Sequence, residues 1–110
     1  MTVTHSAETF PAIEIEQEGL AKAELAANDI SVLSAVVMRA LQAHATTLAG
    51  ARAVAVVSVS YDMTGEEVSG GEVALSSEID RQTRSLLFMH AYAKQGERVI
   101  IKATAIFRLS

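Results

Sequence analysis

The chain has no cysteine, which excludes disulfides, thiolate zinc sites and a cysteine nucleophile together. Its only proline, Pro11, sits in a polar N-terminal stretch. Basic charge is also scarce: charged residues make up 20% of the chain, the net charge is −4 and the isoelectric point is about 5.3. A generic nucleic-acid binder needs a basic face to displace counterions from phosphates, so that class is excluded, although a local basic cluster is compatible with the composition. There is no Walker loop, no Rossmann fingerprint and no pair of histidines at metal-ligand spacing, so no metal or dinucleotide cofactor is expected. The start, MTVTHSAETFPAIEIEQ, has no basic segment leading into an apolar core. No signal peptide is expected there, and the cytoplasm is the default location.

What the chain does have is apolar surface. Half of its 110 residues are hydrophobic and the mean hydropathy is +0.28, rich for a small monomer. Some of that surface is expected to close against another subunit. The richest stretch runs from Ile30 to Ala49. Arg39, Gln42 and His44 interrupt it, and an arginine alone costs roughly 2.5–3.5 kcal/mol at the centre of a membrane helix. A buried soluble helix fits better than a membrane span. Asn28 and Asp29 supply N-capping side chains before it, and Gly50 stands where a C-terminal cap belongs. Large apolar residues fall on more than one face, which predicts a helix wrapped by the rest of the chain.

Residues 1–12 read as a loose arm and residues 13–110 as one domain. Ile13 to Ala27 is ambiguous: Ile13 and Ile15 alternate with Glu14 and Glu16 as in a strand, whereas EGLAKAELAA consists of strong helix formers. After Gly50 the period becomes two. Strands are predicted over Ala53–Tyr61, Glu72–Arg81, Ser85–Ala93 and Val99–Leu109, with a polar, glycine-bearing connection after the first and the short turns RQTR and KQGER between the others. The last three form an antiparallel meander whose apolar face needs a helix to cover it.

One long helix followed only by strands resembles the hotdog fold of the acyl-thioester enzymes. The residues that carry the likeness are the valine-rich AVAVVSVSY, the loop ending in GGEV, the pair ALSSEIDRQTRSLLFMHAYA with its basic tip, and the closing KATAIFRL. The resemblance implies an α+β architecture in which a long central helix is wrapped by a curved antiparallel sheet, and it makes EGLAKAELAA a strand in spite of its helix propensity. It further implies a homodimer, with the sheet extended across two subunits, or a pair of such dimers forming a tetramer. The ligand would be an acyl-CoA or related thioester held between subunits.

The departures from the family pattern bear on activity. Many relatives carry a longer loop ending in His-Gly-Gly before the helix and an acid about two turns into it. Here the loop shrinks to Ala27-Asn28-Asp29, and the matching helix stretch is Ala35-Val36-Val37-Met38. Other relatives place an aspartate just before the helix, as Asp29 stands here. Asp29 is therefore the candidate base or nucleophile and Asn28 a candidate to polarise a carbonyl, though both are also ordinary caps. Arg81 and Arg84, with Lys94 and Arg98 at the next turn, are candidates to seat the phosphates of coenzyme A. Val37 and Met38 are candidates for the acyl pocket, together with His90, which shares a strand face with Phe88 and Tyr92. Tyr61 and Tyr92 would border the same pocket, while Arg39, Gln42 and His44 are further polar groups that would line a tunnel or meet a partner, with a catalytic use of His44 the less favoured reading. The expected function is thioester hydrolysis. A non-catalytic thioester binder or regulatory protein, and a purely structural dimer with Val36, Val37, Met38 and Phe88 filling the tunnel, are the alternatives.

Overall fold

A computed structural model describes residues 11–26 and 28–110; residues 1–10 of the expected arm, and Ala27 of the loop before the helix, lie outside the described residues. Strands β1 (Ile13–Gln17) and β2 (Leu20–Leu25) form a hairpin, helix α1 (Ile30–Ala49) follows, and β3 (Val54–Met63), β4 (Gly71–Gln82), β5 (Leu86–Gln95) and β6 (Arg98–Leu109) complete the chain. All six strands join one antiparallel sheet in the order β1-β2-β4-β5-β6-β3. Helix α1 carries the chain from β2 to β3 at the far edge, and β4 to β6 form the expected meander.

Strand β2 is the clearest case of tertiary pairing overriding propensity. Ala21, Ala23 and Leu25 are buried while Leu20 and Glu24 are exposed, the alternation of a strand with one wet face. Pairing with β1 on one side and β4 on the other satisfies its backbone groups. A helix there would leave that edge of β4 open.

One face of the sheet carries the core. Val73 and Leu75 of β4, Leu87, Met89, Ala91 and Ala93 of β5, and Ile101, Ala103, Ala105 and Phe107 of β6 alternate inward against Leu33, Val36, Val37, Ala40 and Leu41 of α1. Register places Ala91 opposite Ala103 and Met89 opposite Ala105, so small residues let the helix lie close. Irregular pairing at Val56/Ser58 and Ile79/Arg81 adds bends. The curved sheet wraps the helix as expected, leaving Ser31, Arg39, Gln42 and Thr46 exposed on the side away from it. Only its sheet-facing stripe is buried within the chain.

The β1–β2 turn passes close to the helix. Gly19 has φ +84°, and a Cβ there would lie 2.7 Å from the Ser77 carbonyl oxygen and 3.2 Å from His44 Cε1. Gly19→Ala is expected to cost more than about 1 kcal/mol, because both the left-handed backbone and the close approach oppose a side chain. Thermal unfolding of the variant measures this.

Candidate active site

The N-terminus of α1 is built by Asp29. Its backbone is extended (φ −125°, ψ 105°), and its Oδ1 accepts from Ser31 N at 3.0 Å, Ser31 Oγ at 2.6 Å and Val32 N at 3.4 Å. The Ser31 hydroxyl, followed by the two backbone N–H groups, holds the carboxyl below its ordinary value of 3.8. Asp29 is thus an exposed carboxylate, ionised at neutral pH, at the positive end of a helix dipole. All three bonds converge on Oδ1; among the described residues none is made to Oδ2. The N–H groups of Ser31 and Val32, which a bound oxyanion would otherwise use, are already taken by the cap. Asn28 is exposed beside it.

The other residues singled out from the sequence do not converge on this point. Val37 is fully buried in the core, and Met38, one residue on, is half-buried. Arg81 and Arg84 lie at the β4–β5 turn, where Arg52 Nη2 donates to the Arg84 carbonyl at 2.7 Å and to that of Leu109 at 3.3 Å. That is the end of the sheet reached by the C-terminus of α1. Asp29 stands at the other end, because β2 ends at Leu25 opposite Gly71, the start of β4. Lys94 and Arg98 share the Asp29 end, and Arg98 Nη1 donates to the Glu67 carbonyl at 2.7 Å and pairs with Glu66 at 3.5 Å. The single basic edge expected from the sequence is therefore split: consecutive turns of a meander fall at opposite ends of their shared strand.

His90 lies on the sheet face away from the helix. Its Nδ1 is 2.6 Å from Asp80 Oδ1, its Nε2 is 3.6 Å from Glu78, and its ring meets Tyr92 edge-on at 5.4 Å. The bulge in β4 brings Asp80 there and sets Arg81 over the ring of Phe88, 5.5 Å from its centroid. An open groove lined by Ser60, Asp62, His90, Tyr92, Lys102 and Thr104 runs across this face. The sheet separates it from Asp29. Tyr61 points the other way and packs against the core, and burial pushes its hydroxyl pKa up.

One cluster has only a single member suggested by the sequence. His44 Nδ1 lies 2.8 Å from Ser77 Oγ and His44 Nε2 lies 3.5 Å from Glu18 Oε2, with the histidine side chain 9% exposed. Ser77 follows Val73 and Leu75 at the spacing of one strand face, so a hydroxyl stands in an apolar stripe; that break in the pattern is its signal. Glu18, in a turn, has none.

Among the described residues no grouping of three or more histidine and carboxylate side chains could hold a metal ion, and no helix is long and apolar enough to cross a membrane. No curated protein matches the chain in sequence. Solved structures do match in fold. A conserved protein of Pseudomonas aeruginosa aligns at TM-score 0.78 and 16% identity over 100% of this chain and 96% of its own. A thioesterase of Staphylococcus aureus aligns at 0.75 and 16% over 97% and 99%. A Bacillus halodurans protein solved with CoA aligns at 0.76 and 9% over 89% and 71%. Residues 31–108 match the family model described as the acyl-CoA thioesterase N-terminal domain. With well over half of its length matched and the hotdog architecture in place, the chain belongs to the acyl-CoA thioesterase family of the hotdog superfamily.

Proposed function

We propose that the protein is a cytoplasmic homodimer, or a pair of such dimers, that binds an acyl-CoA-type thioester between subunits and hydrolyses it from Asp29. The observation that carries this reading is the Asp29 carboxylate itself, ionised at the helix N-terminus with Oδ2 left for a water molecule. Water gives its proton to Oδ2 as its oxygen adds to the thioester carbonyl carbon. The C–S bond then breaks, and the thiolate leaves with the proton returned by Asp29. Asn28, whose side-chain amide can donate, polarises the carbonyl in place of the helix N–H groups that the cap occupies. The acyl chain runs along Met38, with Val37 in the core behind it.

The second subunit enters through β3. This ten-residue edge strand leaves Val56 45%, Val57 52% and Met63 47% exposed, an edge that calls for cover. Antiparallel pairing of two β3 strands about a two-fold axis reverses one chain against the other. Arg81 and Arg84 of the partner subunit then come to the Asp29 end, where they serve the phosphates of the coenzyme. Val57→Lys is expected to raise the dimer dissociation constant at least about tenfold, by placing a charge on the pairing edge; sedimentation equilibrium reads this.

Thiol release from a panel of short, long and aromatic acyl-CoA esters tests the function. Turnover with any of them supports hydrolysis, and no turnover with all of them overturns it. The occupied Ser31 and Val32 N–H groups favour a second reading, a binder without chemistry. That reading predicts a ligand-induced rise in Tm with no thiol released.

A further inference from the structure

The hydrogen-bond logic of the Glu18–His44–Ser77 cluster is that of an activated serine. His44 Nδ1 lies within hydrogen-bond distance of the Ser77 hydroxyl at 2.8 Å, and Nε2 faces the Glu18 carboxylate at 3.5 Å. With Nδ1 accepting from Ser77, the other ring nitrogen carries its hydrogen toward the carboxylate. Serine to imidazole to carboxylate is the order of a nucleophilic triad, here with the two ring nitrogens exchanged relative to the usual arrangement. The three residues come from the β1–β2 turn, α1 and β4. Gly19, by lacking a side chain, lets the turn close over the ring.

Two concavities flank the cluster. One is a cavity of about 60 Å³ between α1 and the β1–β2 hairpin, with Ile15, Leu20, Ala40 and Leu75 in its wall and His44 and Ser77 at its edge. The other is an open depression bounded by Glu18, Leu48, Glu78 and Ile79 that also reaches His44 and Ser77. A space of about 10–15 Å³ of this kind holds one water, so the narrower side accepts only a few non-hydrogen atoms. A small acyl group fits it, and a leaving group of any size can lie in the open side.

We propose that Glu18, His44 and Ser77 form a second acyl-transfer centre, separate from Asp29, that takes short-chain carboxylic esters. Ser77 Oγ adds to the ester carbonyl carbon as its proton passes to His44 Nδ1. The ester C–O bond breaks, and the alcohol leaves with that proton. Water, deprotonated by the same nitrogen, then adds to the acyl-serine carbonyl, releasing the acid and restoring Ser77. Glu18 touches neither substrate nor reacting atoms; it is a positioning residue that fixes the ring and its tautomer. Fifteen helical residues separate Asp29 from His44, about 22 Å at 1.5 Å per residue, so the two centres do not share a substrate position. The Ser77 N–H is committed to the Gly19 carbonyl at 2.9 Å and gives the oxyanion no help. Acylation is therefore expected to be easier to detect than turnover.

The test is covalent labelling of the full chain by an alkyl fluorophosphonate, followed by intact mass and peptide mapping. Ser77 Oγ displaces fluoride at phosphorus, leaving one adduct per chain. Wild type and Asp29→Asn are expected to label at the same rate, so that failure of the Asp29 reading leaves this result untouched. Ser77→Ala should abolish the adduct, His44→Gln should slow it about a hundredfold, and Glu18→Gln severalfold, with Glu18→Asp recovering part of the loss. Glu18 is an exposed turn residue, with 56% of its side chain accessible, so its variants keep the fold. Ser77→Cys provides a second nucleophile, and its alkylation by iodoacetamide should follow His44 and Glu18 in the same order. No adduct on wild type, an adduct elsewhere, or rates indifferent to His44 and Glu18 would overturn the proposal.

Discussion

Asp29→Asn is expected to lower kcat/KM for acyl-CoA hydrolysis by roughly a hundred- to ten-thousandfold, the usual contribution of a positioned general base, while the thermal unfolding curve stays close to that of the wild type. Asparagine caps helices as well as aspartate does, and its side-chain oxygen can keep the bonds from Ser31 and Val32 that hold the first turn. The variant therefore removes the charge and the proton acceptor and leaves the cap. Asp29→Ala removes both, and should lose activity and lower Tm together. Steady-state thiol release beside an unfolding scan separates the two effects.

The pH dependence carries the same signature. Because the Ser31 hydroxyl and the first-turn N–H groups lower the folded-state pKa of Asp29 below 3.8, its contribution to stability is fully present above that value. It is lost only as pH falls through the lower, folded-state pKa. The Asp29-dependent part of kcat/KM should likewise be flat through neutral pH and fall only below the ordinary carboxylate range. An acid limb centred near pH 6 or 7 would assign the reaction to another base.

Phe107→Ala should produce the largest loss of stability of any single truncation considered. Phe107 is fully buried on β6, between Val56 of β3 and Leu87 of β5 in register. Removing such a ring costs about 3–5 kcal/mol in transfer energy and residual cavity, against a total of about 5–15 kcal/mol for a typical protein. Tm is expected to fall by roughly 12–30 °C. The neighbouring Ile106 faces the opposite side of the sheet and is only half-buried, so Ile106→Ala should cost about 1–2 kcal/mol. Calorimetry of the pair tests which face of β6 holds the core. Equal losses would mean either that the inward and outward faces are misassigned or that the outer face is covered by another copy.

How far the sequence could be read depended on the range of the interactions involved. Local patterns were legible: the N-cap at Asp29, the helix from Ile30 to Ala49 and the period of two in every later strand each depend on neighbours a few residues away. The first hairpin was half legible. Its strand spacing competed with the helix propensity of EGLAKAELAA, and pairing with β4, some fifty residues on, decided the outcome. The candidate site was legible only in part. Asp29 is tied to Ser31 and Val32, close in sequence, whereas Ser77 reaches His44 across 33 residues, a distance no local pattern spans. The grouping of Arg81, Arg84, Lys94 and Arg98 failed for a related reason: closeness in sequence across a meander places successive turns at opposite ends of a strand.

By itself, then, the sequence determined which segments are helix and strand after residue 30, because periodicity and capping act over one or two turns of chain. Which strand face turns toward the helix was not set by it: Phe88, grouped with Val36, Val37 and Met38 as tunnel filling, lies on the opposite face with His90. Tertiary structure alone decided the places of β1, β2 and β3 beside the expected meander, the separation of His90 from Asp29 by the thickness of a sheet, and the convergence of Glu18, His44 and Ser77. Each of these depends on segments distant in sequence meeting in space, and the free energy of that meeting is shared by the whole core rather than written into any one stretch.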